Sequence, residues 1–362
     1  MSSSRRRAVV IAAGGTGGHV VPALAVAAVL KSQNVPVVWF GTKRGLEATM
    51  VPADGIQMCW IDVAGLRGKT VFETLLGPFR LGRALVQSVR QMRALKPRAV
   101  LGMGGFVSGP VGLAALLLRK PLVLHEQNAV AGMTNRWLSG FATRVFSAWP
   151  NVFKASRNAT VVGNPVRADM EALAGEPAVI NSDASQPLRV LVVGGSRGAS
   201  ALNELVPQAI ALMNQSVVVH HQSGRADAAD VRMQYRKATY AQVLVSEFIE
   251  DMTQAYQSAD VVICRSGAMT VTELGAIGLP GILVPFPYAV DDHQTLNARH
   301  LSDLGAALLM PQSTLSAQSL AKELMTLSED RQKLEMMSVA ARGCFVPNAA
   351  ATVAYALLEV SR

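Results

Sequence analysis

The sequence predicts an α/β fold of two doubly wound, Rossmann-like domains that face each other across a cleft. The chain has 362 residues, too many for one typical domain, and half of them are hydrophobic, enough for two sizeable cores. The same order of apolar strand, glycine-rich turn and helix opens each half of the chain, over residues 8–30 and again over residues 189–210. A parallel sheet covered by helices is typical of this alternation.

Further strands are predicted in each half from short apolar runs rich in Val, Ile and Leu. In the first half these runs are residues 8–13, 35–40, 99–101 and 121–124. In the second half they are residues 190–193, 217–219, 242–245, 261–263 and 281–284. The domain boundary is expected near residues 163–165 or in a polar, proline-flanked linker at 182–187. We take residues 1–165 as the first domain, 166–344 as the second and 345–362 as a last helical segment.

Composition and charge narrow the class of protein. Cys59, Cys264 and Cys344 are widely spaced, match no metal or disulfide pattern and favour a reducing compartment. The apolar run after the arginines at 5–7 ends at once in a glycine-rich turn, so it predicts a strand and not a signal peptide. No apolar run is long enough to span a bilayer. The formal net charge of +9 leaves nucleic acid and anionic membrane surfaces as candidate partners.

The stretch at residues 261–274 is a candidate nucleotide site. An apolar run predicts a buried strand, Ser266 and Gly267 break it, and a helical pattern begins at Ala268. The N–H groups and positive dipole end of such a helix bind phosphate. Glu273 follows in the first turns, where a carboxylate can accept hydrogen bonds from a ribose diol. By itself, the stretch also fits an ordinary strand–helix turn whose glutamate favours the helix dipole.

Two glycine-rich loops in the first half, at residues 14–18 and 102–105, match no strict nucleotide fingerprint. A dinucleotide motif would need glycine where Val20 and Val107 stand, and a Walker A motif would need glycine where Val63 stands. Hydride transfer and NTPase chemistry therefore lose support. Loops of this kind still offer backbone N–H groups to phosphate or to developing negative charge.

The turn at residues 194–198 has the G-x-S-x-G form of a serine hydrolase nucleophile elbow, with Ser196 at its centre. Histidines that could serve such a nucleophile follow it in the sequence: His220, His221, His293 and His300. Against a hydrolase, an entire α/β domain and another glycine loop precede the turn. The alternative is that Ser196 hydrogen-bonds a phosphate oxygen at the start of a helix.

Polar side chains at predicted strand ends are candidates for sugar binding and proton transfer. His19 follows the first glycine loop, where the positive helix end favours a neutral imidazole that can take a proton from a hydroxyl. A local hydrogen bond is the equally weighted alternative. Glu126 and Asn128 are further candidates for a base or for acceptor binding, and the cluster at 291–297 suits hydroxyl recognition. No Asp-x-Asp motif occurs, so we expect no metal, and helix dipoles and arginines would carry a leaving diphosphate's charge.

The segment at residues 65–98 is the strongest charge feature. Its eight basic residues accompany a single acid, Glu73, and alternate with apolar side chains. This mixture suits an anionic membrane interface, whereas a solvated amphipathic helix with its apolar side in the core is the alternative. The residues expected to contact the membrane are Leu75, Leu76, Phe79, Arg80 and Arg83. Nucleic acid is less favoured because aromatics are few and the charge is concentrated in one segment.

Seven motifs occur in order along the chain. They are GGTGGH at 14–19, MGGFVSGP at 103–110, HEQN at 125–128, GNPVR at 163–167, GGSRG at 194–198, RSGAMTVTE at 265–273 and DDHQ at 291–294. Each is weak alone, but the ordered set resembles, over essentially the whole chain, the bacterial UDP-N-acetylglucosamine transferases of peptidoglycan synthesis. The resemblance implies a GT-B fold and transfer of N-acetylglucosamine (GlcNAc), with inversion and without a cofactor, from UDP-GlcNAc to the muramoyl 4-hydroxyl of lipid I. The product would be lipid II, made at the cytoplasmic face of the inner membrane.

The resemblance also implies roles for individual residues. Ser196 would contact the diphosphate, the backbone of Ile249 the uracil, and Glu273 the ribose, with Arg167 near the donor at the domain junction. The residues lining the phosphate and sugar would be Ala268, Met269, Thr270, Val271, Thr272 and Gln294. The residues facing the reacting sugars would be Thr16, Gly17, Gly18 and Asn128, with His19 and Glu126 as candidate bases. The last helix would cross back to the first domain.

Departures from the resemblance are small. Phe106 stands where many relatives carry Tyr, and Arg197 stands where Gln is common. The alternatives that stay open are a UDP-sugar epimerase of the same fold, a serine hydrolase and a non-catalytic nucleotide-sugar sensor. Proteins of cell-wall synthesis and division are further expected partners.

Overall fold

The computed structural model describes residues 7–63, 77–176, 180–195 and 199–361. The chain divides into two compact units, the first comprising Met1–Arg167 with Val346–Arg362 and the second comprising Ala168–Phe345. Three residues with a predicted role, Leu75, Leu76 and Ser196, lie outside the described residues.

The first unit is built on a parallel sheet with the strand order β3-β2-β1-β4-β5-β6-β7. Its strands are β1 (Val9–Ala12), β2 (Val37–Gly41), β3 (Gln57–Trp60), β4 (Ala99–Gly102), β5 (Leu122–Glu126), β6 (Arg144–Ser147) and β7 (Thr160–Val161). Its helices are α1 (Gly17–Ser32), α2 (Glu47–Ala53), α3 (Gly77–Leu95), α4 (Gly105–Leu117), α5 (Met133–Leu138) and, at the end of the chain, the helix Ala349–Glu359.

Helices cover both faces of this sheet, which explains why its strands are continuous apolar runs. Successive residues of β1 point to opposite faces: Val9 and Ile11 join one buried cluster, and Val10 and Ala12 join another. The first cluster includes α1 and the helix Ala349–Glu359, and the second includes α3 and α4. In the structure, the last helix packs against α1 of the first unit.

The second unit has a parallel sheet with the order β10-β9-β8-β11-β12-β13. Its strands are β8 (Leu188–Val193), β9 (Val217–Gln222), β10 (Ala241–Ser246), β11 (Val261–Cys264), β12 (Gly281–Leu283) and β13 (Ala307–Leu309). Its helices are α6 (Ala168–Ala172), α7 (Ser200–Ala211), α8 (Ala228–Gln234), α9 (Met252–Gln257), α10 (Ala268–Ile277), α11 (His293–Ser302), α12 (Ala317–Glu329) and α13 (Arg331–Gly343), so that the helix Ala349–Glu359 is α14.

A buried carboxylate anchors the amino edge of the second sheet. Asp260 is fully buried and accepts hydrogen bonds from the backbone and guanidinium of Arg189, with an Nη2–Oδ1 distance of 2.6 Å. The backbone N–H of Asn181 donates to the same carboxylate at 3.0 Å, and Arg331 Nη1 lies 3.6 Å from Oδ2. The polar segment that resembles a linker in the sequence is therefore held to the sheet at its start.

Both sheets reverse their strand order at one point, between β1 and β4 in the first unit and between β8 and β11 in the second. Ligands of doubly wound folds bind outside the carboxyl ends of the strands at such a point. In the first unit, the glycine-rich loops after β1 and β4 lie at this point; in the second unit, Gly194 and Gly195 after β8 and the Ser266–Gly267 turn after β11 do. The two parallel sheets confirm the predicted doubly wound α/β class. Among the described residues, no helix combines the length and apolarity needed to cross a membrane.

Candidate active site

The glycine loop after β1 is shaped by a buried glutamate that the sequence analysis did not single out. Glu47 is fully buried and accepts hydrogen bonds from Gly15 N (3.0 Å), Thr42 N (2.9 Å) and Thr42 Oγ1 (2.8 Å). A Cβ at Gly14 would lie 2.6 Å from Glu47 Oε1, and Gly15 has a φ of +96°, which few other residues adopt. Glycine is therefore required for the loop to close over this carboxylate.

The loop delivers the chain to the start of α1 with its first amides exposed. Thr16 is the N-cap in an extended conformation, and its side chain makes no capping hydrogen bond. The backbone N–H groups of Gly17 and Gly18 therefore have no side-chain cap among the described residues. Thr16, Gly17 and Gly18, which were predicted to face the reacting sugars, thus form a helix start able to bind negative charge or a hydroxyl oxygen.

His19, the third helical residue of α1, lies beside the residues that follow β5. Its Nδ1 is 2.9 Å from Oε1 of Gln127, a residue 108 positions away in the sequence. His19 is half-buried and packs against the glycines after β4, because a Cβ on Gly104 would meet its Cε1 at 3.5 Å and one on Gly105 would meet its Cδ2 at 3.3 Å. The structure therefore brings His19, the second glycine loop and the HEQN motif together at the switch point of the first sheet.

Glu126, the other candidate base, is enclosed by hydrogen-bond donors. It is 2% exposed and accepts from Asn135 Nδ2 (2.9 Å), Gly132 N (3.0 Å) and Asn128 N (3.2 Å), with Asn128 Nδ2 at 3.3 Å. A carboxylate surrounded in this way orders the loop between β5 and α5. The geometry favours Glu126 as a positioning group for Asn128 more than as a proton acceptor.

In the second unit, the start of α10 offers backbone amides. Gly267 is the N-cap, no side chain caps it, and its φ and ψ of −63° and 147° are extended. Ala268, Met269 and Thr270 follow as the first helical residues, so their N–H groups point out of the helix start. The hydroxyl of the preceding Ser266 is buried and has no hydrogen-bond partner among the described residues. The combination is suited to an anionic group.

The later residues of this motif are directed elsewhere. Val271 is buried, and its N–H already donates to Gly267 O at 3.0 Å. Thr272 is also buried, and its hydroxyl donates to Ala268 O at 2.9 Å. The structure thus does not bring the side chains of Val271 and Thr272 to the open helix end, and only the first turn can present amides.

Glu273 and Gln294 remain accessible in part and are held by neighbours. Glu273 Oε2 accepts a hydrogen bond from Tyr256 OH at 3.2 Å, and Gln294 Oε1 accepts one from Phe286 N at 2.8 Å. Burial, together with the nearby charge of Glu273, raises the pKa of Cys264 to about 12, so this thiol stays protonated and serves as a core residue. Ile249 is buried, and Arg167 is exposed.

Arg265 connects the ends of three strands. It belongs to the RSGAMTVTE motif, but the sequence predicted no role for it. Its Nη1 donates to Val284 O and Pro285 O, both at 3.1 Å, and its Nη2 donates to Gln312 Oε1 at 2.7 Å. Its guanidinium carbon lies 5.5 Å from the ring centre of Phe286. Arg265 therefore fixes the loops after β11, β12 and β13 around the start of α10 while adding positive charge there.

Three of the four histidines named as candidates for a serine hydrolase have hydrogen-bond partners away from the β8 turn. His221 is buried, with Nδ1 2.9 Å from Tyr235 OH and Nε2 3.1 Å from Asn203 Oδ1, and burial lowers its pKa to about 4. His220 Nε2 is 3.0 Å from Ser246 Oγ, and His293 Nδ1 donates to Val290 O at 2.8 Å. Ser196 itself lies outside the described residues.

Helix α3 carries an exposed stripe of apolar and basic side chains. Phe79, Arg83, Val86, Arg90 and Arg93 follow a helical spacing of three and four residues, and Phe79 and Val86 are 75% and 67% exposed. Ala84, Ser88 and Met92 form the buried side of the helix. Arg80 is half-buried, and Arg83 forms an exposed ion pair with Asp62 at 2.8 Å.

Comparison with known proteins covers nearly the whole chain. The models of the glycosyltransferase family 28 N-terminal and C-terminal domains match residues 9–147 and 189–353. Two relatives are named UDP-N-acetylglucosamine–N-acetylmuramyl-(pentapeptide) pyrophosphoryl-undecaprenol N-acetylglucosamine transferase. The one from Alkalilimnicola ehrlichii is 53% identical over 96% of this chain and 98% of its own. The one from Methylococcus capsulatus is 50% identical over 96% of both. A crystal structure of Acinetobacter baumannii MurG superposes with a TM-score of 0.83 at 41% identity, covering 98% of this chain and 99% of that one.

Proposed function

The chain belongs to glycosyltransferase family 28, and from this membership we propose that it transfers GlcNAc from UDP-GlcNAc to the muramoyl 4-hydroxyl of lipid I, forming lipid II for peptidoglycan synthesis. The observation that carries the proposal is identity of about half the residues, over 96% of the chain, to relatives named for this reaction. The acceptor is the lipid-linked muramoyl pentapeptide, and the reaction inverts the anomeric centre.

The second unit supplies the donor site in this proposal. The amides of Ala268, Met269 and Thr270 at the start of α10 and the charge of Arg265 stabilise the diphosphate as it leaves. Glu273 accepts hydrogen bonds from the ribose hydroxyls, and the backbone of Ile249 meets the uracil. The amide nitrogen of Gln294 is available to the sugar because its oxygen is held by Phe286 N. Ser196 contributes a further hydroxyl to the diphosphate.

The first unit supplies the acceptor site and the base. His19 takes the proton of the attacking 4-hydroxyl, and the amides of Gly17 and Gly18 with Asn128 hold the reacting sugars. Support for His19 over Glu126 comes from their surroundings: the imidazole is half-buried with one nitrogen engaged, whereas the Glu126 carboxylate is buried among four donor atoms. Glu126 positions Asn128 in this scheme.

The exposed stripe of α3 is the proposed membrane contact. Phe79 and Val86 enter the apolar layer, and Arg80, Arg83 and Arg90 meet anionic head groups. The enzyme is then a peripheral protein at the cytoplasmic face of the inner membrane, where lipid I is accessible. Proteins of cell-wall synthesis and cell division are its expected partners at that surface.

The experiment that tests the function is UDP release from UDP-GlcNAc, with and without a short-chain lipid I analogue, in the presence of EDTA. We expect release that depends on the acceptor and survives chelation. An epimerase would convert UDP-GlcNAc without any acceptor, and a sensor would bind UDP-GlcNAc without releasing UDP. Either result would overturn the proposal.

A further inference from the structure

A chain of hydrogen bonds leads from the backbone of the first unit to His19. Gly163 O lies 2.9 Å from His125 Nε2, and His125 Nδ1 lies 3.0 Å from Gln127 Nε2. Gln127 Oε1 lies in turn 2.9 Å from His19 Nδ1. The two intermediate side chains, His125 and Gln127, are fully buried, so solvent does not compete for these bonds.

The direction of each bond follows from the fixed end of the chain. A carbonyl oxygen only accepts, so His125 Nε2 carries a proton and donates to Gly163 O. Burial lowers the pKa of His125 to about 4, against a smaller opposing effect of its bond to Gly163, so the ring is neutral near pH 7. A neutral imidazole holds one proton, so Nδ1 of His125 must accept a hydrogen bond.

The amide of Gln127 is oriented by that acceptor. Its nitrogen donates to His125 Nδ1, and it also lies 3.1 Å from His125 O, a second acceptor. The backbone oxygen of Gln127 is held in place by Trp149 Nε1 and Asn164 Nδ2, each at 3.1 Å. The side-chain oxygen of Gln127 is thus left facing His19, and an amide oxygen requires a donor, so His19 Nδ1 carries the proton.

We propose that His125 and Gln127 are positioning residues that fix His19 in the Nδ1–H tautomer and so leave Nε2 as the proton acceptor of the reaction. This inference rests on the proposed transferase function. Nε2 takes the acceptor hydroxyl's proton as that oxygen bonds to the anomeric carbon of GlcNAc. The bond from that carbon to the diphosphate breaks, and its electron pair leaves with UDP.

Space beside Nε2 is kept open by a glycine. No described residue hydrogen-bonds to this nitrogen, and the Cβ that Gly105 lacks would stand 3.6 Å from it and 3.2 Å from Gly14 O. Gly105 also has a φ of +72°, so another residue would be strained there. A substrate hydroxyl can therefore approach Nε2 from the side of the loop after β4.

A neutral amide suits this task better than a carboxylate would. A carboxylate at position 127 would also hold the tautomer, but its charge would favour the imidazolium form, which cannot accept a proton. Among the described residues, the titratable groups on the loops that meet at His19 include Glu47 behind the glycine loop, Glu126 after β5 and neutral His125. Both carboxylates are buried and engaged by donors of their own loops.

The first test reads the tautomer directly. The full-length protein labelled with ¹⁵N-histidine is examined by NMR, and the His19 signals are identified by their loss in His19→Ala. We expect a protonated Nδ1 and an unprotonated Nε2 near pH 7.5. A proton on Nε2 would overturn the inference. Because the readout needs no substrate, it is independent of whether the chain is a transferase.

The second test changes residue 127. Gln127→Leu removes the acceptor of the Nδ1 proton, and free imidazole in water prefers the Nε2–H form. We therefore expect kcat to fall ~10- to 100-fold with KM little changed. This is part of the ~10²–10⁴-fold that a general base contributes. Gln127→Glu should keep the tautomer but raise the acid limb of the kcat/KM profile by roughly one pH unit, because the added charge favours imidazolium.

The control separates positioning from folding. Ser338→Ala removes a buried hydrogen bond to Gly278 O, 2.6 Å long, in the second unit and therefore outside the chain of bonds to His19. We expect it to lower the melting temperature with no change in the tautomer or the pH profile. If Gln127→Leu behaved like Ser338→Ala, or if Gln127→Glu left the acid limb unmoved, the inference would be wrong. If the wild type released no UDP with acceptor, the proposed function would fail, while the NMR result would still decide the tautomer.

Discussion

The two loop regions at the switch points solve different chemical problems with different parts of the chain. Around the loop after β1, the polar contacts are made by side chains. Glu47 and Glu126 are buried among hydrogen-bond donors, and His19 is held through Gln127 and His125. Around the turn after β11, the first turn of α10 offers backbone amides while the side chains of Val271 and Thr272 enter the core.

The difference follows from what each region is proposed to handle. Moving a proton needs a titratable side chain in a defined protonation state, so its neighbours must be specified atom by atom. Holding a diphosphate needs several fixed donors and a positive potential, which any uncapped helix start provides. Substitutions should therefore affect rate in the first region and affinity in the second.

The largest effect is expected at the proposed base. His19→Ala should lower kcat by about 10²–10⁴-fold, the usual contribution of a general base, because no other group then accepts the hydroxyl proton. KM for UDP-GlcNAc should stay within about twofold. Steady-state kinetics with a lipid I analogue measure both constants. Activity within tenfold of wild type would favour Glu126 as the base. It would also contradict the expectation that substitutions in the first region affect rate.

The two units can also be compared by how their stability changes at acid pH. Each contains a buried histidine whose pKa is lowered to about 4 by burial: His125 in the first and His221 in the second. The unfolded histidine has a pKa near 6.5, so the unfolded chain binds more protons between these values. The contribution of each neutral histidine to the free energy of unfolding is fully present above pH 6.5 and is lost as the pH falls toward 4. The loss is about 1.4 kcal/mol per pH unit, and so about 3 kcal/mol for each residue.

Hydrogen exchange of peptides from β5 and β9 at pH 7 and pH 5 measures this loss in each unit. His221→Asn should reduce the pH dependence in β9 and leave β5 as in the wild type. The surface variant His293→Asn is the matched control and should change neither. Equal pH dependence in β9 with and without His221 would assign the effect to other groups.

A smaller effect is expected at Glu273, the carboxylate proposed to bind the ribose. Glu273→Gln should raise KM for UDP-GlcNAc about tenfold or more, because hydrogen bonds to a charged group contribute about 1.5–3 kcal/mol, while kcat changes little. Tyr256→Phe, which removes the 3.2 Å hydrogen bond to Glu273, should raise KM less. A fall in kcat matching that of His19→Ala would mean that the two regions do not divide rate and affinity.

The smallest effect per residue is expected on the surface of α3. Arg83→Gln and Arg90→Gln should each weaken binding to vesicles with anionic lipids by about 1 kcal/mol, roughly fivefold, and the loss should shrink at high salt. Phe79→Ser with Val86→Ser should weaken binding at any salt concentration. Val339→Ser, an equally exposed valine on α13, serves as the control. Co-sedimentation measures all four, and unchanged binding of the α3 variants would remove this surface as the membrane contact.

Much of the fold was predictable because its signals are local. Apolar runs of four to six residues marked strands such as β1, β8 and β11, and glycine turns marked the helices that follow them. Short or half-exposed strands were missed, among them β3 and β7, because their runs lack a continuous apolar pattern. Within the RSGAMTVTE motif, the sequence could not separate residues with exposed amides from those packed in the core, because both are apolar or small.

The sequence by itself determined the α/β class, the positions of the turns proposed to bind phosphate and, through its ordered motifs, the family. Only the tertiary structure decided which polar groups meet. Gln127 lies beside His19 although they are 108 positions apart in the sequence. Glu47 accepts a hydrogen bond from Gly15 although they are 32 positions apart. These contacts depend on the order and register of β1, β4 and β5, which long-range packing sets and local hydrophobic patterns do not encode.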